Sequence, residues 1–118
     1  KQINDQYGHS SGDAVIRTIA DVLRDNLRES DFICRWGGEE FLLMLKNCDR
    51  DHAITLCEKL RIAIEAIDMN FDGQHPRITT SFGVSQWKPP EKIGALIERA
   101  DRALYQAKAS GRNSVQGA

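Results

Sequence analysis

The stretch FICRWGGEEFLLML, from Phe32 to Leu45, decides how the chain is read. FICRW and EFLLML carry the aromatic, β-branched and long aliphatic residues of strands. Gly37 and Gly38 stand between them, and glycine reaches positive φ without a Cβ penalty, as a tight hairpin turn demands. A hairpin turning on Gly37-Gly38 is therefore predicted. Because FLLML is apolar without alternation, its strand is expected to be buried on both faces. Directly after the glycines come Glu39 and Glu40. Adjacent carboxylates repel each other and cost solvation if buried. On a strand they leave opposite faces, so one site takes both only if the turn twists them together. One reading is an exposed tip with two solvated glutamates. The other is a binding site, because Mg²⁺ takes one or two protein carboxylates plus phosphate oxygens and glycine lets a nucleotide approach the backbone.

Working outward, INDQYGHSSGD (Ile3 to Asp13) reads as a polar loop. A helix follows with Val15, Ile16, Ile19, Ala20, Leu23 and Leu27 on one stripe, capped by Ser11 or Asp13. Beyond the hairpin, Asp49 or Asp51 opens a second helix whose inward face is Ala53, Leu56, Cys57, Leu60, Ala63, Ile64 and Ile67. MNFDGQHP (Met69 to Pro76) is a loop turning on Asp72-Gly73, and RITTSFGVSQW (Arg77 to Trp87) is a half-buried strand with Ile78, Thr80, Phe82 and Val84 on one face. A third helix is predicted from Glu91 to Ala109, with Ile93, Leu96, Ile97, Ala100, Leu104 and Ala107 inward. Gly111 closes it, and Asn113 to Val115 form a short last strand. Helix, hairpin, helix, strand, helix, strand becomes βαββαβ if one strand precedes the first helix, which is the α+β, ferredoxin-like order.

The 118 residues suit one small domain, 1–118, with a single core. A net charge of −1 gives no general field toward nucleic acid or a membrane, so an anionic ligand must be held by local cations. No apolar run approaches a membrane span and no signal peptide is visible. Cys34, Cys48 and Cys57 form no CxxC pair and are expected to be reduced core residues. His9, His52 and His75 lack ligand spacing.

Three further groups could carry chemistry. Lys108 and Arg112 straddle the end of the third helix; they could clamp a polyphosphate or simply offset the helix dipole. Asn4 and Asp13 flank the opening loop and could read the edge of guanine, or serve as turn former and cap. Arg28 and Asp31, in RESD, could be a surface ion pair or present an arginine fork to a phosphate.

Taken together, RWGGEEF, the preceding INDQYGHSSGD, the following RITTSFGVS and the closing ADRALYQAKASGRNSV resemble the GGDEF family of diguanylate cyclases, in the family's order and over essentially the whole chain. The resemblance implies a palm-type, nucleotidyl-cyclase-like sheet with flanking helices. It implies condensation of two GTP into cyclic di-GMP and two pyrophosphates across a homodimer, in a bacterial cytoplasmic setting, with no nucleic-acid or membrane contact by this domain. By resemblance Gly37 and Gly38 lie against the nucleotide, Glu39 binds Mg²⁺ (or Mn²⁺) and helps deprotonate the 3′-hydroxyl, and Glu40 supports the site. Asn4 and Asp13 match guanine-reading residues; Lys1, Lys108 and Arg112 match phosphate-binding cations. Arg28 and Asp31 match the RxxD site at which the product inhibits, and its second arginine falls at Lys59, with Arg61 nearby. The family pattern also has a strand ending in a metal-binding aspartate ahead of the position of Lys1, absent from this sequence, and commonly an upstream sensor or dimerisation domain; weak or no turnover is expected of the 118 residues alone. Two alternatives stay open: a catalytically silent domain that senses cyclic di-GMP, and a regulator that binds GTP without converting it.

Overall fold

A computed structural model describes residues 9–118. Lys1 and Asn4, two of the expected ligand-binding residues, lie outside that range. The chain divides into two compact units, one of residues 9–46 with Ile67–Arg77, the other of Asn47–Ala66 with Ile78–Ala118.

In the first unit, α1 (His9–Asp25) buries Val15 and Leu23 from the predicted stripe, with Ile16, Ile19 and Ala20 half-buried; Leu27, predicted on the same stripe, falls past the helix end and is half-buried. Ser11 and Asp13 stand inside this helix, so neither caps it where the sequence suggested. The helical ladder runs through polar, glycine-bearing residues that local propensity assigns to a loop, because propensity is a weak prior. At the other end, the Asn26 side-chain amide donates to the Val22 carbonyl at 2.8 Å, taking up an end-of-helix acceptor.

Two antiparallel strands follow, β1 (Phe32–Gly37) and β2 (Glu40–Met44), registered from Phe32↔Met44 to Arg35↔Phe41. A bulge then intervenes, and Gly37 pairs with Glu40. The turn is therefore Gly38-Glu39, one residue later than predicted. Gly38 has φ +47°, at the first central position where a type II′ hairpin demands glycine. Contrary to expectation β2 is half-buried, with Met44 exposed. An apolar run signals affinity for burial but not how many neighbours cover it, and among the described residues this sheet has two strands. In Ile67–Arg77 the predicted Asp72-Gly73 turn is present: both residues have positive φ, Phe71 and Gln74 bridge across it, and Asn70 Oδ1 accepts from the Gly73 amide at 2.7 Å.

The second unit is built on α2 (Arg50–Glu65), whose N-cap is Asp49, accepting from the His52 amide at 2.8 Å. Strand β3 (Phe82–Val84) pairs in parallel with β4 (Val115–Gly117), and α3 (Ile93–Ala109) packs on them. Only three residues of the expected Arg77–Trp87 strand take ladder bonds, because β4 offers only three partners. The core comprises Ala53, Cys57, Leu60, Ile64, Ile78, Val84, Ala103 and Ala107, with Leu60 and Ile64 fully enclosed. A β-carbon at Gly83 would fall into the backbone of Ala100 and Leu104, so α3 and β3 meet main chain to main chain. That approach explains why the small residues Ala103 and Ala107 are the buried ones on α3. Ile93, expected inward, is the first residue of the helix and is exposed. Glu91 stands ahead of α3 rather than opening it, paired with Arg99 at 3.0 Å and accepting from the Lys88 amide at 2.9 Å. Of the three cysteines, Cys57 alone is in the core; Cys34 and Cys48 are half-buried.

Candidate functional site

The hairpin tip resolves the problem of two adjacent carboxylates. Strand alternation does not govern Glu39, because Glu39 occupies the turn and only Glu40 starts β2. Glu39 is exposed and Glu40 half-buried, so the pair is split by position in the hairpin. The tip is fixed from within: Arg35 Nε donates to the Gly38 carbonyl at 2.7 Å, a contact the sequence reading missed. Around both glycines there is room. Among the described residues a β-carbon at Gly37 or at Gly38 would meet nothing within 4 Å, so no packing requirement seen there explains Gly37. The glycine at 37 leaves the main chain open to an incoming group.

The sequence places Lys108 and Arg112 about the end of α3, and the structure shows how the chain turns there. Ser110 donates its amide to the Gln106 carbonyl at 2.9 Å, and the Arg112 amide reaches back to Ala107 at 3.0 Å. Gly111, Arg112 and Asn113 then have φ of +113°, +64° and +45° in succession. Left-handed backbone costs a non-glycine residue roughly 1–2 kcal/mol, so two such residues in a row persist only where side chains over-determine them. Asn113 does this. Its carbonyl oxygen accepts from Arg61 at 3.1 Å, and its amide nitrogen donates to Glu65 at 2.9 Å. Arg61 also pairs with Glu58. Lys108 is half-buried and Arg112 is exposed.

Arg28 and Asp31 form a closed turn between α1 and β1. Asp31 accepts from the Arg28 amide at 2.9 Å and its Nε at 3.2 Å, from the Arg28 guanidinium again at 3.0 Å, and from the Lys46 amide at 3.3 Å. The Asp31 side chain is 2% exposed and that of Arg28 57%. The Arg28 guanidinium, aided by the two amides, holds the Asp31 carboxyl below its ordinary range despite the opposing cost of burial. Asp31 thus orients an arginine that stays at the surface. Lys59 is exposed on α2, whereas Arg61 is 19% exposed and engaged with Glu58, Glu65 and Asn113. Asp13 is exposed on α1.

Among the described residues no three His, Cys, Asp or Glu side chains gather as a metal-binding group. Glu39 nevertheless fits a hard divalent cation, as one exposed carboxylate at an open tip where phosphate oxygens could complete the shell. No helix among the described residues is long and apolar enough to cross a membrane.

Residues 1–114 match the family model described as diguanylate cyclase, GGDEF domain. The chain is 40% identical over 116 residues to diguanylate cyclase A of Treponema denticola, covering 98% of this chain and 31% of the relative. It is 44% identical to diguanylate cyclase DgcP of Pseudomonas aeruginosa, covering 98% and 17%. It therefore spans a third or less of those relatives' length. Among solved structures, the GGDEF domain of DgcB from Caulobacter crescentus in complex with c-di-GMP superposes with TM-score 0.93 at 34% identity, over 98% of this chain and 70% of that one. The active GGEEF domain of a diguanylate cyclase from Vibrio cholerae gives 0.87 at 32% identity, over 98% and 74%. With a family model matched over residues 1–114 and relatives at 40–44% identity, the chain belongs to the GGDEF, diguanylate cyclase domain family.

Proposed function

We propose that residues 1–118 form a single GGDEF domain that takes part in joining two GTP molecules into cyclic di-GMP. The carrying observation is the hairpin tip, with Glu39 in the turn and open space over Gly37 and Gly38. In each half-reaction the 3′-hydroxyl oxygen of one GTP bonds to the α-phosphorus of the other. The bond to the β-phosphate oxygen breaks and pyrophosphate leaves. Two such steps close the ring. Gly37 and Gly38 admit the nucleotide, Glu39 takes up the hydroxyl proton, and Glu40 supports it. Lys1, Lys108 and Arg112 hold the phosphates, where preorganised cations favour the charge of the transition state. Asn4 and Asp13 read guanine. Glu39 would hold Mg²⁺ or Mn²⁺, and such an ion, when bound, neutralises phosphate charge and eases ionisation of the hydroxyl.

Each domain holds one GTP, so the reaction needs a homodimer, and an upstream sensor or dimerisation domain in the bacterial cytoplasm would govern it. Product returning to Arg28 and Asp31 is the inhibitory arm. Lys59 stands where the family pattern has a second arginine, and lysine neither forks onto phosphate nor stacks on guanine as arginine does. Inhibition is accordingly weaker than in a domain with both arginines. The orientation of Arg28 by Asp31 also favours a second reading, a cyclic di-GMP receptor without synthesis.

Chromatography of a GTP and Mg²⁺ reaction with the full-length protein separates the two. Cyclic di-GMP formation establishes the cyclase. Silence even under forced dimerisation, with cyclic di-GMP still bound, establishes the receptor.

A further inference from the structure

Arg61 stood near the expected inhibitory site as a spare cation, but the structure commits it elsewhere. Its side chain is 19% exposed, and it joins Glu58 and Glu65 on α2 to Asn113, fifty-two residues along the chain. Asn113 follows Arg112 directly, within the run of three positive φ angles. From these contacts we infer that Arg61, Glu65 and Asn113 are a positioning network that sets Arg112 for the phosphates of the nucleotide.

The chemistry of the network is specific to an amide at position 113. One end of the amide accepts from a cation and the other donates to a carboxylate. Aspartate has the same shape but cannot donate when ionised, so it would set two carboxylates against each other across a half-buried gap. A hydrocarbon side chain would leave both Arg61 and Glu65 short of a partner. In either case the left-handed conformation at Arg112 loses its over-determination, and the guanidinium samples a wider range of positions. The fold has less at stake, since the core residues of α2 are Ala53, Cys57, Leu60 and Ile64. The network also removes Arg61 from the set that could meet cyclic di-GMP and leaves Lys59 as the exposed cation on that stretch of α2.

This inference rests on the proposed role of Arg112 and is tested by binding rather than turnover. Affinity for α,β-methylene GTP with Mg²⁺ is measured on the full-length protein and on Arg112→Ala, Asn113→Asp, Arg112→Ala/Asn113→Asp and Glu65→Gln/Asn113→Asp, with melting temperatures alongside. Asn113→Asp is expected to weaken binding about tenfold, of the order of a lost charged hydrogen bond. In the Arg112→Ala background it is expected to add little, since the two act as one unit. Glu65→Gln/Asn113→Asp is expected to restore binding, because the glutamine amide then donates to the aspartate and Arg61 keeps its acceptor. Unchanged affinity in Asn113→Asp beside weakened binding in Arg112→Ala overturns the network and leaves the phosphate role of Arg112 standing. Unchanged affinity in Arg112→Ala overturns that phosphate role itself, and the network's purpose with it. Weakening that the paired substitution does not relieve, or that simply follows a fall in melting temperature, also overturns it.

Discussion

The hairpin tip and the turn after α3 both pass through glycine and positive φ, yet they are held in opposite ways. At the tip the Arg35 side chain bonds the Gly38 carbonyl, and a β-carbon at Gly37 or Gly38 would meet nothing within 4 Å among the described residues. After α3, backbone bonds from Ser110 and Arg112 and an amide wedged between Arg61 and Glu65 fix three residues in succession. An open tip suits contacts that form when ligand arrives. A stitched turn suits a charge that must already be in place, since ordering it on binding would cost entropy.

The contrast is broken most directly at Glu39. Glu39→Ala is expected to cut synthesis by about 10²–10⁴-fold, the usual scale for a lost general base, with cyclic di-GMP binding and melting temperature unchanged. A clear fall in melting temperature would show that the tip is held by its glutamate. Next in size is Gly83→Ala, in the unit that carries the stitched turn. The added methyl meets the main chain of Ala100 and Leu104, which cannot swing aside, so a loss of about 3 kcal/mol or more is expected in denaturant titrations. Near-wild-type stability would mean that β3 and α3 separate easily. Gly37→Ala is its counterpart at the open tip. Stability is expected to change by no more than about 0.5 kcal/mol, while GTP affinity falls; the reverse pattern would remove the argument that the space serves a ligand.

The smallest expected effect sits in the RxxD turn, which combines an exposed arginine with an enclosed carboxylate. The Asp31 pKa is lowered in the folded state, chiefly by Arg28. Its contribution is therefore fully present above the unfolded value of about 3.9 and is lost as pH falls through the lower folded value. Urea midpoints measured from pH 5 downward are expected to drop more steeply below about pH 4 in the wild type than in Asp31→Asn. Parallel curves would show that the Arg28 contacts contribute nothing to folding.

Much of this was legible in the sequence. The order of elements followed from apolar periodicity and the Asp72-Gly73 turn from its dipeptide; the start of α2 was narrowed to Asp49 or Asp51, and Asp49 is the cap. The Arg28–Asp31 turn was visible because its partners are three residues apart. What escaped depends on pairing rather than local chemistry. The bulge after Arg35 moved the turn to Gly38-Glu39, and register is a property of two strands together. The length of β3 was set by β4. Arg61 and Asn113 meet across 52 residues, beyond the reach of any local pattern. Arg61 was noticed as a cation, but no spacing rule could assign it to the closing turn.

Cys57 gives the protein an internal clock. Burial pushes its thiol up to about 12, so the enclosed thiol is slow to ionise and to attack a reagent. Cys34 and Cys48 are half-buried. Once those two are blocked, slow alkylation of Cys57 under native conditions counts the moments when α2 leaves its neighbours. Its rate, followed as GTP or cyclic di-GMP is added, would report how tightly each nucleotide holds α2 within its own unit.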